Sequence, residues 1–179
     1  MTPTANESGT GNIRRAAPLL SAADHPNLPD PPDLPGAGRT LTILVVEDDA
    51  AVAGLLRDLL NRVPGWGATV VHDAAAAAEV FKHIEVELLV LDVNLPGISG
   101  PELLEHLRRA PEWRAPPVIL MSAQPGQPLV QGALARAAAR DEAVQFIAKP
   151  FDVDDLVDAV AQAVAALQRT GSVQTRGAA

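Results

Sequence analysis

The feature that most constrains the fold is a series of five short apolar runs between residues 41 and 149, each followed by a stretch with apolar residues at helical spacing. The runs read LTILVV, ATVVH, ELLVLDV, PPVILMS and VQFIAK. Their Val, Ile and Leu content is typical of strands buried on both faces of a sheet. Strands that alternate with helices in this way predict an α/β domain whose doubly wound parallel sheet is covered on both sides.

Three segments of the chain differ in composition. Residues 1–40 hold seven of the sixteen prolines and few large apolar residues. We interpret them as a flexible, Pro-rich N-terminal extension, with docking on a partner as the alternative. Residues 41–168 form the predicted domain, since about 100–150 residues suit one such unit. Residues 169–179 are interpreted as a flexible C-terminal tail.

The composition also excludes several classes of function. Residues 41–168 carry eighteen acidic and nine basic residues, which argues against direct contact with nucleic acid. The absence of cysteine excludes thiolate zinc sites and a cysteine nucleophile. No apolar run approaches the roughly 18 residues of a membrane span, and the N-terminus lacks the apolar part of a signal peptide. We therefore expect a cytoplasmic protein without membrane insertion.

Polar side chains stand at the strand ends, which is where ligands bind in open α/β sheets. These side chains are Glu47, Asp48, Asp49, Asp92, Ser122 and Lys149. The second strand ends at His72 and Asp73, but an outer strand can end away from the ligand crevice. One edge of the sheet is thus predicted to gather carboxylates, a hydroxyl and an ammonium.

The carboxylates predict a metal site. Clustered like charges raise one another's pKa unless a cation joins them, and oxygen ligands without His or Cys suit Mg²⁺ or Mn²⁺. Mg²⁺ needs only one or two protein carboxylates and keeps water and phosphate oxygens as its other ligands. Glu47, Asp48 and Asp92 meet this requirement. The alternative for Asp48 and Asp49 is that either one caps the first helix.

Asp92 is also a candidate nucleophile, because a carboxylate can attack a phosphoryl group and form an acyl phosphate. Lys149 would add a second positive charge beside the metal ion, and the Ser122 hydroxyl could hydrogen-bond a phosphoryl oxygen. The alternatives are an ordinary surface charge for Lys149 and an ordinary strand-end hydroxyl for Ser122.

The motifs around these residues resemble the receiver domain of bacterial two-component response regulators. ILVVEDD resembles the family's first strand and acid pair, and LLVLDVNLPGISG resembles its phosphoacceptor strand and the loop that follows. VILMSA resembles its fourth strand, and FIAKPF the end of its fifth. The resemblance implies the flavodoxin-like (βα)5 fold with strand order 2-1-3-4-5.

The resemblance implies a role for each matching position. Glu47 and Asp48 would bind the metal ion together with Asp92, which is the implied phosphorylation site. The backbone carbonyl of Asn94 would complete the metal shell, and Lys149 would bind the phosphate.

The conformational response is implied in the same way. Ser122 would be the switch hydroxyl and Phe146 the switch aromatic. The Lys149–Pro150 bond is expected to be cis, and X–Pro is the usual place for a cis bond. A homodimer through the face of the fourth helix, fifth strand and fifth helix is a further expectation.

As a whole, the resemblance implies a single-domain response regulator that takes a phosphoryl group from a sensor histidine kinase or a histidine phosphotransfer protein. Uptake and loss of the group would be Mg²⁺-dependent and self-catalysed, without the turnover of a conventional enzyme. The residues after 168 are too few for a DNA-binding helix pair. We therefore expect output through contacts with another protein, or phosphorelay.

The sequence departs from the family at three places. Glu47 stands where the family often has Asp, and the segment from Ser122 to Lys149 is a few residues longer than usual. ARDEAVQF replaces the Gly-Ala that commonly precedes the fifth strand. The shape of the fourth helix and its surface therefore does not follow from the resemblance.

The main alternative function is a receiver-like interaction module that acts without phosphorylation. A phosphatase is disfavoured, because such enzymes usually have a second acid two residues after the nucleophile as proton donor, and Asn94 cannot serve. Flavin binding would rest on fold analogy alone, and the acids of the crevice oppose it.

Overall fold

The computed structural model describes residues 40–124 and 126–174, with side chains described as far as residue 167. In this part of the chain, five strands alternate with five helices. The strands are β1 (Leu41–Val46), β2 (Trp66–Val71), β3 (Leu88–Asp92), β4 (Val118–Ser122) and β5 (Val144–Ala148). The helices are α1 (Ala50–Leu60), α2 (Ala74–His83), α3 (Gly100–Leu107), α4 (Pro128–Ala139) and α5 (Val153–Gln174).

The strands form one parallel sheet in the order β2-β1-β3-β4-β5, which confirms the predicted fold and strand order. β2 begins two residues before the run ATVVH, because Trp66 pairs in register with Leu41 and its side chain is buried. The order places β1, β3, β4 and β5 side by side. Their carboxyl ends therefore share one edge of the sheet.

The core consists of two apolar clusters, one on each face of the sheet. On β1, Ile43 and Val45 belong to the cluster that contains α1 and α5 residues, whereas Leu44 and Val46 belong to the other. All four side chains are buried. Burial of an aliphatic side chain of this size contributes about 1.5–3 kcal/mol. The apolar run of β1 is thus explained by burial on both faces, as predicted.

Asp49 directly precedes helix α1 and acts as its N-cap. The Oδ1 atom of Asp49 accepts hydrogen bonds from the backbone amides of Ala51 at 2.8 Å and Val52 at 3.0 Å. Of the two carboxylates that could cap this helix, Asp49 is the one that does, and Asp48 is left for another role. Asp73 caps α2 in the same way.

A network of charged side chains joins α3 to α4. Glu105 on α3 accepts hydrogen bonds from Arg108 at 2.9 Å, from Arg136 at 3.0 Å and from Arg140 at 3.0 Å. Arg108 also donates to Glu142, which lies in the loop before β5. The segment ARDEAVQF, which departs from the family, thus supplies Arg140 and Glu142 to the contact that holds α4 in place.

The chain ends fall partly outside the described residues. The predicted N-terminal extension, residues 1–40, lies outside them except for Thr40. Helix α5 continues to Gln174, beyond residue 168 and into the predicted C-terminal tail, and residues 175–179 lie outside the described part.

Replacing Glu105 by Gln should lower the free energy of unfolding by about 2 kcal/mol at neutral pH, because three arginines lose a charged acceptor. Glu79→Gln is the matched control, since Glu79 also accepts a hydrogen bond from Lys82 and lies 2.9 Å from a ring nitrogen of His83. The Glu79 side chain is 59% exposed, against 23% for Glu105, so its loss should be much smaller. Urea unfolding measures both, and equal losses would contradict the network's role.

The loss of stability caused by Glu105→Gln should depend on pH, and the pKa of Glu105 gives the direction of that dependence. The hydrogen bond from Arg140, helped by Arg136 and Arg108, holds the pKa of Glu105 below its ordinary value of 4.5. The stabilisation is therefore complete above pH 4.5 and is lost as the pH falls through the lowered pKa. The stability difference between the wild type and Glu105→Gln should shrink as the pH falls below 4.5. A difference that is independent of pH would contradict this assignment.

Candidate functional site

The carboxyl ends of four neighbouring strands bring the predicted site residues together. Glu47 directly follows β1, and Asp92 is the last residue of β3. Ser122 is the last residue of β4, and Lys149 directly follows β5. Because these strands are adjacent in the sheet, residues up to 102 positions apart in sequence lie in contact.

Three carboxylates form the centre of the site. Glu47, Asp48 and Asp92 each offer one oxygen, and these three atoms all lie within 4.8 Å of one another. Glu47 and Asp92 are buried, with 2% and 5% of their surface exposed, whereas Asp48 is open to solvent. Hard oxygen ligands at this spacing, open on one side, fit a divalent cation that keeps part of its water shell.

Lys149 lies against the two buried acids. Its Nζ donates a hydrogen bond to Glu47 Oε2 at 2.6 Å and lies 3.1 Å from Asp92 Oδ1. The second contact is an ion pair without hydrogen-bond geometry, and Asp92 Oδ1 is a buried oxygen that has no hydrogen-bond partner. A buried carboxylate oxygen whose contact is an ion pair alone keeps hydrogen-bonding capacity unused, so this atom is suited to bind a cation or an electrophile. The residues present therefore fit a metal ion.

The charges of this group perturb one another. Burial raises the pKa of Glu47 above 4.5, and the charge of Asp92 adds to the increase, while Lys149 opposes it. Burial by itself would lower the pKa of Lys149, but the hydrogen bond to Glu47 and the charges of Asp92 and Glu47 outweigh it and raise that pKa. The ammonium thus stays protonated at neutral pH.

The loop after β3 approaches the site closely, and a glycine that the motif analysis did not single out makes this possible. A Cβ on Gly100, the first residue of α3, would lie 2.2 Å from the backbone oxygen of Asp92. The Gly100 amide donates to Val93 O at 2.9 Å. Gly100 is the last residue of the motif LLVLDVNLPGISG. The motif could have drawn attention to it, but a local pattern does not show which glycine of a loop lies against a neighbouring backbone.

The residues expected to switch lie on the adjacent strands β4 and β5. Ser122 is fully buried, and its Oγ accepts a hydrogen bond from the Gln124 amide at 3.1 Å. Phe146 on β5 is half-buried against the cluster on the α4 side of the sheet. The Lys149 amide donates to Ser122 O at 2.8 Å, which joins the ends of β4 and β5. The Lys149–Pro150 peptide bond is cis.

Two further residues complete the surroundings of the site. Asn94 is exposed and lines an open cleft together with Asp48, so it stands on the side where a metal ion would enter. His72 directly follows the outer strand β2 and contacts the backbone of the first acidic residue. Its Nδ1 is 2.9 Å from the backbone oxygen of Glu47.

Within the described residues, none of the helices combines the length and the apolar content that a bilayer crossing requires.

The sequence of the chain is similar to those of response regulators. Residues 43–161 match the sequence model of the response regulator receiver domain. The chain is 32% identical over 143 residues to the C4-dicarboxylate transport transcriptional regulatory protein DctR of Rhodobacter capsulatus, covering 78% of this chain and 68% of that protein. It is 32% identical over 123 residues to the transcriptional regulatory protein FixJ of Bradyrhizobium diazoefficiens, covering 68% and 56%. The chain thus spans about two thirds of the length of the first relative and little more than half of the length of the second.

Solved structures agree with the fold. A sensor protein from Polaromonas sp. JS666 superimposes with a TM-score of 0.57 at 28% identity, over 69% of this chain and 94% of that one. The receiver domain of the Francisella response regulator 1452 superimposes with a TM-score of 0.59 at 24% identity, over 73% and 99%. The second likeness concerns the fold alone.

The contacts of Glu47 make its titration predictable. In the metal-free protein, we expect its pKa to lie above 4.5, to rise further in Lys149→Gln and to fall in Asp92→Asn, because Lys149 lowers it and Asp92 raises it. Carbon-13 NMR titration of the glutamate carboxyls measures all three values. Glu79 is the internal control, since its hydrogen bond from Lys82 holds its pKa below 4.5. A Glu47 pKa that responds to neither substitution would contradict the site geometry.

Proposed function

Since the chain belongs to the response regulator receiver domain family, we propose that it accepts a phosphoryl group on Asp92 and acts as a phosphorylation-dependent switch. The observation that carries this proposal is the state of Asp92 Oδ1. This oxygen is buried, has no hydrogen-bond partner and lies 3.1 Å from the Lys149 ammonium. A carboxylate in such a place can act as a nucleophile, and the nearby cation favours the charge that the reaction brings in.

The metal ion of the proposed reaction is Mg²⁺, or Mn²⁺ in its place. Glu47, Asp48 and Asp92 would hold it through side chains, and Asn94 through its backbone carbonyl. When bound, the ion neutralises charge on the phosphoryl oxygens. The longer side chain at Glu47 does not prevent this role, because its carboxylate reaches the cluster formed with Asp48 and Asp92.

The proposed step transfers the phosphoryl group from a donor to Asp92. One carboxylate oxygen forms the bond to phosphorus, while the bond between phosphorus and the leaving atom of the donor breaks and its electron pair stays with the leaving group. The Asp92 carboxylate becomes an acyl phosphate. Lys149, which already lies against Asp92, then has phosphoryl oxygens as its partners in place of the lost carboxylate charge.

The proposed switch follows from the added charge, which is about −1.5 to −2 for a phosphoryl group. The Ser122 hydroxyl is free to donate, because its contact with Gln124 uses it as an acceptor. Ser122 would turn toward the phosphoryl oxygens, and Phe146 on the neighbouring strand would fill the space it leaves. Phosphorylation would thus bias two existing conformations by about 1–3 kcal/mol.

The partners follow from this chemistry. We place a sensor histidine kinase or a histidine phosphotransfer protein upstream, and an output protein or a second phosphotransfer step downstream. The face of α4, β5 and α5 is the proposed contact surface, including that of a homodimer. The cytoplasmic location stays a prediction.

Acetyl phosphate with Mg²⁺ should add one phosphoryl group to the wild type and none to Asp92→Asn, as measured by intact-protein mass spectrometry. Asp58→Asn is the matched control, because Asp58 is an exposed aspartate that pairs with Arg57 and is not a member of the cluster, and it should be labelled like the wild type. Labelling of Asp92→Asn would show that the acceptor lies elsewhere. An unlabelled wild type would instead favour an interaction module that acts without phosphorylation.

The two neighbouring aspartates provide a second test. Asp48→Asn should weaken Mg²⁺ binding by about tenfold or more, because the cluster loses one of its charges. Asp49→Asn should leave the affinity nearly unchanged, because Asn keeps the oxygen that caps α1. Calorimetric titration with Mg²⁺ measures both. Equal losses in the two variants would mean that the ion responds to general acidity and not to the cluster.

A further inference from the structure

The imidazole of His72 contacts the backbone of the acid pair, Glu47 and Asp48. Its Nδ1 lies 2.9 Å from the backbone oxygen of Glu47, the first residue of that pair. We propose that His72 is a positioning residue, whose ring fixes the backbone from which Glu47 and Asp48 reach the cation. This inference rests on the proposed function, because it concerns the same site.

The ring stands where the pairing of two strands ends. β1 and β2 pair in parallel register as far as Val46 and Val71, and the Glu47 amide still donates to Val71 O at 3.1 Å. The next rung of a parallel ladder would join Glu47 O to the amide of residue 73. Asp73 is already the N-cap of α2, so the chain leaves the sheet there. The side chain of His72 supplies a donor at the point where the strand stops.

The bond also determines the tautomer of the ring. A carbonyl oxygen only accepts, so Nδ1 must carry the hydrogen. Nδ1–H is present in one neutral tautomer and in the imidazolium alike. The contact therefore does not need a particular charge on His72, and it acts through geometry.

The backbone of the acid pair is thus fixed on both sides of Asp48. On one side, Glu47 is held through its amide by Val71 and through its carbonyl by His72. On the other side, Asp49 is held by the capping bonds of α1. Asp48 is an exposed ligand, so these anchors limit where its carboxylate can go. A ligand set needs to be held within about 0.5 Å of its productive geometry.

Two substitutions separate the donor from the bulk of the ring. His72→Leu removes the donor, whereas His72→Asn keeps an N–H at the same number of bonds from the backbone as Nδ1. In calorimetric titration of the full chain with Mg²⁺, His72→Leu should bind about tenfold more weakly than the wild type. His72→Asn should restore most of the affinity. In phosphorylation by acetyl phosphate, His72→Leu should be slow at low Mg²⁺ and recover at saturating Mg²⁺.

Thermal unfolding in the presence of a chelator distinguishes positioning from a merely structural role. If His72 only stabilised the fold, His72→Leu would lower the unfolding temperature and leave Mg²⁺ affinity unchanged, and this result would overturn the proposal. Equal weakening in the Leu and Asn variants would overturn it too, because the donor would not be the cause.

A measurement on the wild type does not depend on any variant folding. Long-range proton–nitrogen NMR of the neutral ring should find the hydrogen of His72 on Nδ1, and a hydrogen on Nε2 would overturn the proposal. Failure of the proposed function is recognised separately. A wild type that neither binds Mg²⁺ nor is labelled at Asp92 would overturn both, whereas normal binding and labelling of His72→Leu would overturn only the role of His72.

Discussion

The structure of the site depends on the contact of one ammonium with two buried carboxylates. Lys149 Nζ lies 2.6 Å from Glu47 and 3.1 Å from Asp92. Two unit charges about 4 Å apart near a protein surface interact with about 4 kcal/mol at an effective dielectric constant of 20. Without the ammonium, the repulsion between these acids and Asp48 would oppose the close approach of the strand ends. Three carboxylates and one ammonium leave a formal charge of −2, which a divalent cation balances.

The rest of the fold serves to bring these groups to one place. The two apolar clusters hold the sheet from both sides, so that the ends of β1, β3, β4 and β5 keep their relative positions. The Glu105 network ties α4 to α3 and to the loop before β5. Because α4 belongs to the proposed output face, this network holds in place an element that the switch would have to move. A response carried by α4 therefore has to work against these ion pairs.

Much of the fold could be predicted from the sequence, because apolar runs such as LTILVV carry a signal within a few residues. Asp92, Lys149 and Ser122 could also be predicted as neighbours, because parallel strands end at one edge. The strand order itself came from the resemblance to receiver domains, and no local pattern specifies it. Which aspartate caps α1 could not be predicted either, because Asp48 and Asp49 both precede the first turn and only the backbone geometry separates them.

Other features depend on contacts between distant parts of the chain. Arg140 and Glu105 lie 35 residues apart, and neither position shows a sequence signal for their pairing. A side chain at position 100 would collide with the backbone oxygen of Asp92, a contact that the local sequence does not reveal. His72 follows an outer strand, but its ring reaches one strand inward to the backbone oxygen of Glu47. Which backbone atom the His72 ring can reach depends on the register of β1 and β2. The apolar pattern of the sequence does not specify that register to the accuracy of a single residue.

We propose that the Glu47, Asp48 and Asp92 carboxylates, together with Lys149, hold a divalent cation beside an acceptor oxygen of Asp92. A crystal structure of the chain with Mg²⁺ and beryllofluoride, a mimic of the phosphoryl group, tests it most directly. We predict beryllium bonded to Asp92, the ion bound by the three carboxylates, and Lys149 Nζ in contact with a fluoride. Beryllofluoride bound elsewhere, or an ion that lies away from the three carboxylates, would contradict the account.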